Sequence, residues 1–528
     1  MSRHFCFLIL VATLLLGCNQ TPPTAKDDTS ATSQVAPNGN EATTELEKQP
    51  SAVAKAKLSK DSSTIATTGL GVRAAIGQLQ TRIEESVAGG PTSVIWVIDV
   101  SKSTERLRGE VLSMITAVTT AIKKNQPEAD LLTGLVSASA EAKWELEPTG
   151  ADPEALEGAV AKLMTSSSPK ENLFSAIRLA SEKAVEARRK SREAMIILVT
   201  DEAGDDGDTV DEVLTPLKKF SIPVFVLGNP APFGRASVSA ASIEASDKQV
   251  TDIDPTVMHE GPETIEPEVI DLSFNGSDAS LELYDAGFGP FFLEKLCRVS
   301  GGRYLALRHS AGDGAFTGIE IRWPDPSAMR FSPEKMQAYA PEYGSRAEYQ
   351  SLLESNKAAK TLTSAAKLPR IATLGAINVR FDKANEAQMK RRLDESQEAA
   401  AKIEPNITRL VELLLPGESD RDKLPSVRWK AGFDLALGRA LAAKARVDGY
   451  NSMLAVLKRG KNFQNPASKS WRLQAGDDAT EAGSSIQAMV KKSNMLLSRV
   501  IKEHPETPWA EMAKRELETP LGWKWVEE

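Results

Sequence analysis

The chain has 528 residues, which at roughly 150 residues per domain favours two to four domains over a single one. Apolar residues make up 41% of it, and 34 Gly and 29 Pro are ordinary shares, so collagenous, wholly disordered and multi-span membrane chains are excluded. A formal net charge of -8 argues against a nucleic-acid partner, because phosphate binding needs an excess of Lys and Arg on one face.

Residues 1–18 have the pattern of an export signal. Arg3 precedes an apolar run over residues 5–16, which is shorter than the roughly 20 residues of a membrane-spanning helix. The run ends in LLGC, which resembles the bacterial lipobox, whose cysteine is acylated and becomes the mature N-terminus. This resemblance implies that Cys18 is lipidated and that the protein lies in the bacterial cell envelope, extracytoplasmic and lipid-anchored to a membrane.

Residues 19–70 are predicted to be a disordered linker. They are rich in Thr, Ser, Ala, Pro, Lys and Glu and contain no aromatic residue. Such a segment cannot bury enough apolar surface to offset its chain entropy. The folded part of the protein is therefore expected to be tethered at a distance from the membrane.

Residues 71–310 alternate between strand and helix patterns. Buried strands are predicted by short apolar runs at 93–98, 131–136, 195–199 and 224–227, with amphipathic helical stretches between them. The alternation favours an α/β domain with a doubly wound, mostly parallel sheet, similar to the Rossmann arrangement. Its last helix and strand come late in the chain, so residues 228–289 are predicted to be an insertion.

Residues 311–528 are predicted to be a mainly α-helical C-terminal region. Apolar residues recur at helical spacing over 407–415, 427–457 and 486–501. Several tryptophans lie close to the end of the chain. Packing against the preceding helices is the favoured interpretation of these tryptophans, and an exposed anchor for a partner is the alternative.

Polar residues follow two of the predicted parallel strands. Asp99 ends the first, Ser101 and Ser103 come two and four residues later, and Asp201 follows the strand at 195–199. Ligands of open α/β sheets bind beyond the carboxyl ends of the strands. The D-x-S-x-S motif, together with the second aspartate, resembles the von Willebrand factor type A (vWA) domain, over about residues 90 to 310.

The resemblance implies a metal-ion-dependent adhesion site (MIDAS). In that family the two serine hydroxyls bind the cation directly, the aspartates bind it directly or through water, and a threonine from a third loop completes the set. An open position then accepts a carboxylate from a partner protein. Oxygen ligands of this kind suit a hard divalent cation, Mg²⁺ first, with Mn²⁺ and Ca²⁺ as alternatives.

One position departs from the family pattern. Glu171 stands where the family has the threonine, so Asp99, Glu171 and Asp201 would bring three formal negative charges to one cation. An acidic partner would then be repelled. Two outcomes stay open: Glu171 binds the cation in place of a partner's carboxylate, or it turns away and the site is weak. Thr165 or one of residues 166–168 is the alternative third ligand.

Two other acidic stretches are interpreted as solvated rather than metal-binding. The first is the run at 202–208, which contains one glutamate and three aspartates. The second is His259 with Glu260 and Glu263 inside the insertion.

Together these patterns predict a membrane-anchored lipoprotein whose vWA domain binds a protein or cell-surface ligand through a divalent cation. The alternative is a structural scaffold or assembly lipoprotein that binds partners through its helical C-terminal region without metal. An enzyme is not expected, because the sequence has no G-x-S-x-G, Walker or H-E-x-x-H motif.

Overall fold

The structure is a computed structural model. It describes residues 72–150, 152–168, 170–234, 261–274, 284–307, 331–375, 377–383 and 385–528. The predicted export signal with Cys18, the predicted linker, and His259 with Glu260 lie outside the described residues.

Six strands form one sheet in the order β3-β2-β1-β4-β5-β6. They are β1 (Thr92–Asp99), β2 (Leu131–Ala138), β3 (Lys143–Gly150), β4 (Glu193–Val199), β5 (Val224–Gly228) and β6 (Tyr304–Ala306). All neighbouring pairs are parallel except β2 with β3, which lies antiparallel at one edge. The predicted doubly wound, mostly parallel sheet is confirmed.

Helices cover both faces of this sheet. One face carries α1 (Val72–Gly89), α2 (Glu105–Asn125) and α3 (Pro153–Ala161), and the other carries α4 (Leu173–Arg189), α5 (Val210–Lys219) and α6 (Phe291–Ser300). Alternate residues of β1 serve the two layers: Trp96 packs into the first core, and Ile95 and Val97 pack into the second. A strand buried on both faces is continuously apolar, which is why β1 could be predicted from the sequence.

The predicted insertion joins β5 to α6 and packs mainly against the C-terminal region. Phe233, Phe274 and Tyr284 share one buried core with Tyr339 and Trp509. The rings of Phe233 and Trp509 meet edge to face, with 4.8 Å between their centroids. The described parts of the insertion therefore connect the α/β domain to the C-terminal region.

The C-terminal region contains seven described α-helices and two 3-10 helices, Leu415–Lys423 and Thr480–Ala482. The α-helices are α7 (Pro333–Gln337), α8 (Arg346–Ser355), α9 (Lys357–Ala366), α10 (Glu386–Leu414), α11 (Val427–Lys458), α12 (Ser484–Glu503) and α13 (Pro508–Glu518). The longest, α11, is buried along nearly its whole length and forms the centre of the region. None of the helices in the described part of the chain has the length and apolar character needed to cross a bilayer.

A small antiparallel sheet, which the sequence patterns did not predict, completes the C-terminal region. Its strands are β7 (Arg380–Asp382), β8 (Ser470–Gly476) and β9 (Gly522–Glu527), in that order. Trp523 and Trp525 of β9 point into the core, and their indole N–H groups donate to the backbone of α11 at 2.9 and 3.2 Å. The packing interpretation of these tryptophans is confirmed.

Candidate metal centre

The candidate site lies at the carboxyl edge of the six-stranded sheet, where two central strands end side by side. Asp99 is the last residue of β1, and Asp201 lies two residues beyond the end of β4. The two strands are paired in register up to Ile98 and Val199. Because they are parallel and adjacent, two residues about a hundred positions apart reach the same edge.

Both oxygens of the Asp99 carboxylate accept hydrogen bonds. Oδ1 accepts from the backbone N–H of Ser101 at 2.9 Å, and Oδ2 accepts from the hydroxyl of Thr200 at 2.8 Å. The hydroxyl of Thr104 donates to the backbone carbonyl of Asp99 at 3.0 Å. These bonds fix the Asp99 side chain, and each of its oxygens keeps a lone pair for a further contact.

The two serines of the motif form a chain of hydroxyls across the site. Ser101 Oγ lies 3.0 Å from Ser103 Oγ, and Ser103 Oγ donates to Asp201 Oδ1 at 3.2 Å. Ser101 is buried and Ser103 is exposed, so the chain leads from the strand end to the surface.

Glu171 joins the two aspartates from a third loop, immediately before α4. One oxygen from each of Asp99, Glu171 and Asp201 lies within 4.8 Å of the others. All three residues are buried, at 0%, 6% and 7% exposure. The sequence left open whether Glu171 turns toward the two aspartates or away from them. In the structure it turns toward them.

The acidic run after Asp201 contributes no residue to the carboxylate cluster, and its Asp205 and Asp208 are exposed. Two of its residues nevertheless hold the segment that carries Glu171. Asp205 Oδ2 accepts from the backbone N–H of Glu171 at 2.9 Å, and the Asp205 N–H donates to the Glu171 carbonyl at 2.8 Å. Asp206 accepts from the N–H groups of Phe174 and Ser175 at 2.9 and 2.7 Å. Because the first N–H groups of a helix lack intrahelical partners, Asp206 caps α4 from a separate loop.

Burial and mutual repulsion act together on the three carboxyl groups. Burial raises the pKa of Asp99 and that of Asp201, and for Asp201 the charge of Asp99 raises it further. Burial, followed by the charge of Asp99, raises the pKa of Glu171 to about 10. At an effective dielectric constant of about 20, two unit charges 4.8 Å apart repel by roughly 3.5 kcal/mol. The cluster therefore needs a proton or a cation to be stable.

The residues present fit a hard divalent cation. The donors are carboxylate and hydroxyl oxygens from three separate loops, which is the ligand type of Mg²⁺, Mn²⁺ and Ca²⁺. Glu171 Oε2 is buried and accepts no hydrogen bond within the described part of the chain. None of the three carboxylates forms an ion pair with a described Lys, Arg or His, so the described basic side chains do not neutralise them.

The other sequence candidates are engaged elsewhere. Thr165, the alternative third ligand, is exposed, and its hydroxyl accepts from Arg108 at 2.6 Å. The interpretation of Glu263 as a solvated residue was wrong, because it is fully buried and pairs with Arg428 of α11. Thr200, whose hydroxyl donates to Asp99, was not predicted to belong to the site. The only indication in the sequence was its position next to Asp201.

A comparison with family models agrees with this geometry. The model described as von Willebrand factor type A domain matches residues 93–253. The chain carries a vWA domain. The match begins in β1 and covers the three loops that hold Asp99, Glu171 and Asp201.

Three solved structures resemble part of the chain at low sequence identity. The conserved hypothetical protein BatB from Bacteroides thetaiotaomicron is 16% identical, with 42% of this chain and 91% of that chain covered and a TM-score of 0.27. An aerotolerance-related membrane protein from Bacteroides fragilis is 15% identical, with 41% and 91% covered and a TM-score of 0.27. The SpRpn10 VWA domain is 11% identical, with 26% and 75% covered and a TM-score of 0.23. No match was found among the curated proteins.

Proposed function

We propose that the vWA domain binds a divalent cation, Mg²⁺ first, through Asp99, Ser101, Ser103, Glu171 and Asp201. The protein acts as a binding module for a protein or cell-surface ligand and catalyses no reaction. Mn²⁺ and Ca²⁺ are the alternative cations, since both accept the same oxygen donors.

The observation that carries this proposal is the position of Glu171. Its Oε2 is buried, accepts no hydrogen bond from any described residue, and belongs to a carboxylate that shares the cluster with two buried aspartates. A buried carboxyl oxygen without a partner is costly. A cation at the centre of the cluster would give this oxygen a partner and would offset the repulsion among the three carboxylates.

Glu171 also affects which ligands the domain can bind. Three carboxylates around a dication leave one formal negative charge, whereas two would leave a neutral site. We infer that Glu171 takes the coordination position that an acidic partner would otherwise fill. The ligand then contacts the exposed rim of the site, including Ser103, with neutral or basic groups rather than with a carboxylate.

We further propose that the protein is lipid-anchored through Cys18 in the bacterial cell envelope, on the extracytoplasmic side. The support is the LLGC sequence at the end of a short apolar run.

Thermal unfolding with and without cation tests the metal proposal. Millimolar Mg²⁺ or Mn²⁺ is expected to raise the Tm of the parent protein, because a ligand that binds only the folded state stabilises it. The isosteric variants Asp99→Asn, Glu171→Gln and Asp201→Asn are each expected to lose most of this rise. Isothermal titration calorimetry then gives the affinity for each cation.

Asp208→Asn is the matched control. Asp208 belongs to the same acidic loop, but its exposed carboxylate pairs with Arg346 rather than with the cluster. This variant should keep the cation-dependent rise in Tm. A parent protein whose Tm does not respond to any of the three cations would refute the proposed site.

A further inference from the structure

A cavity lined by other residues than the carboxylate cluster lies where the insertion meets the C-terminal helices. Its volume is about 300 Å³. Ile265 and Glu268 of the insertion line it, together with Phe291 at the start of α6 and Tyr349 and Leu352 of α8. Binding pockets occur preferentially at such junctions, with apolar walls and a few polar groups.

At the inner end of this cavity, the negative charge of Glu268 is already compensated by Arg428. Glu268, which is 6% exposed, accepts from Arg428 Nε at 3.1 Å and from the Tyr349 hydroxyl at 3.4 Å. Burial raises the pKa of Glu268 to about 7, although the charge of Arg428 lowers it. A cation placed at this depth would also meet Arg428, so the inner end does not favour one.

The inner end does not favour an anion either. The Arg428 guanidinium donates to both Glu263 and Glu268 and to the backbone carbonyl of Tyr339. Its charge faces two buried carboxylates, which leaves no surplus positive charge for an anionic ligand.

The rim of the cavity is acidic. Glu342 and Glu348 line the opening and are both exposed. Neither carboxylate forms an ion pair with a residue that the structure describes. The hydrogen bonds from Ser345 lower the pKa of Glu348, and the charge of Lys295 contributes less. The Glu348 side chain accepts from the N–H and hydroxyl of Ser345 at 2.7 and 3.0 Å, which fixes it at the start of α8.

We propose that this cavity binds a small organic cation, an ammonium group on an aliphatic stem. The stem enters between Ile265, Phe291 and Leu352, and the ammonium stays at the rim beside Glu342 and Glu348. This placement follows the way a lysine side chain buries its methylene groups while its charged end stays in water. The cavity volume suits a stem of several carbons, and charge complementarity selects the cation.

Calorimetric titration of the purified full chain with n-hexylammonium tests this proposal. The neutral probe n-hexanol and the anionic probe hexanoate carry the same stem. Hexylammonium is expected to bind at least about tenfold more tightly than hexanol, and hexanoate is expected not to bind. Raising the ionic strength should weaken the binding of hexylammonium and leave that of hexanol unchanged, since exposed charges are screened by salt.

A double variant at the rim, Glu342→Gln with Glu348→Gln, locates the binding site. It should reduce hexylammonium affinity about tenfold and leave hexanol binding unchanged. Glutamine can retain the capping role of Glu348 at α8, so the double variant is expected to fold. Glu354→Gln is the matched control, since Glu354 is an exposed carboxylate on the same helix that does not line the cavity.

Four results would overturn the proposal. They are equal affinity for the amine and the alcohol, tighter binding of hexanoate, an equal loss of affinity in Glu354→Gln, and binding of a lysine-containing peptide without any binding of the free amine. The last result would assign the cavity to a protein partner instead. Because none of these measurements involves divalent cations, they leave the metal proposal unaffected.

Discussion

At the scale of single residues, Glu171 has the largest effect on the chemistry of the candidate site. It brings a third carboxylate to a position already occupied by Asp99 and Asp201, and all three are buried. The Asp205 side chain and backbone hold the Glu171 backbone through two hydrogen bonds. These bonds fix the point from which the Glu171 side chain reaches the cluster.

The raised pKa of Glu171 predicts how the stability of the cation-free protein changes with pH. Its pKa is about 10 in the folded state, mainly through burial, against an ordinary value of 4.5. Between these two pKa values the folded state holds a proton that the unfolded state has lost. The stabilisation that this proton difference gives the folded state is fully present below about pH 4.5 and decreases as the pH rises toward 10.

Urea unfolding in the presence of a chelator, at pH 5, 7 and 9, measures this dependence. Glu171→Gln should flatten the fall in free energy of unfolding between pH 5 and pH 9, because the amide does not ionise. Glu182→Gln, an exposed position on α4, should follow the parent. A parent protein whose stability does not fall over this range would contradict the assigned shift.

At the scale of elements, α11 organises the C-terminal region through buried charges as well as apolar contacts. Arg439 and Arg446 of this helix are at most 2% exposed, and both pair with Glu516 of α13. One carboxylate thus compensates two guanidinium groups between two packed helices. Removing one partner of a buried pair leaves an uncompensated charge, which is the costly case.

Glu516→Gln is therefore expected to reduce the free energy of unfolding by about 3–5 kcal/mol. Glu518→Gln, at an exposed position two residues later on α13, should change it by less than about 0.5 kcal/mol. Chemical denaturation of the two variants and the parent gives the comparison. Equal stability of all three would mean that the two arginines find other partners.

The elements also differ in how far local sequence determines them. The helices α11 and α12 and the last part of α10 were predicted because their apolar residues recur at helical spacing. Strands β7, β8 and β9 were not, because they are three to seven residues long and come from distant parts of the chain. Their pairing depends on tertiary packing, above all of Trp471, Trp523 and Trp525 against α11 and its neighbours.

At the scale of the whole molecule, the α/β domain and the C-terminal region are joined by more than a linker. The insertion contributes Phe233 to an apolar core shared with Trp509, and it contributes Glu263 and Glu268 to the ion pairs of Arg428. Asn229, the first residue after β5, donates from its side chain to the Asp201 carbonyl at 3.4 Å. The same insertion thus begins at the candidate metal centre and packs into the core of the other region.

The proposed anchor predicts where the whole molecule is found in a bacterial cell. The parent chain should fractionate with membranes and incorporate labelled fatty acid. Cys18→Ser should abolish the label and release the processed chain or leave its precursor unmodified. Cys6→Ser is the control, since Cys6 lies earlier in the same apolar run and is expected to be removed with the signal. Persistent labelling of Cys18→Ser would contradict the anchor.

The sequence by itself determined the α/β alternation and the residues at the strand ends. A strand covered on both faces must be apolar throughout, and a carboxylate directly after it stands out, as at Asp99 and Asp201. Tertiary structure alone decided that Glu171 turns inward, that Asp205 and Asp206 support it, and that the insertion packs against α11 and α13. Each of these depends on contacts between segments far apart in the chain, which no local pattern of residues encodes.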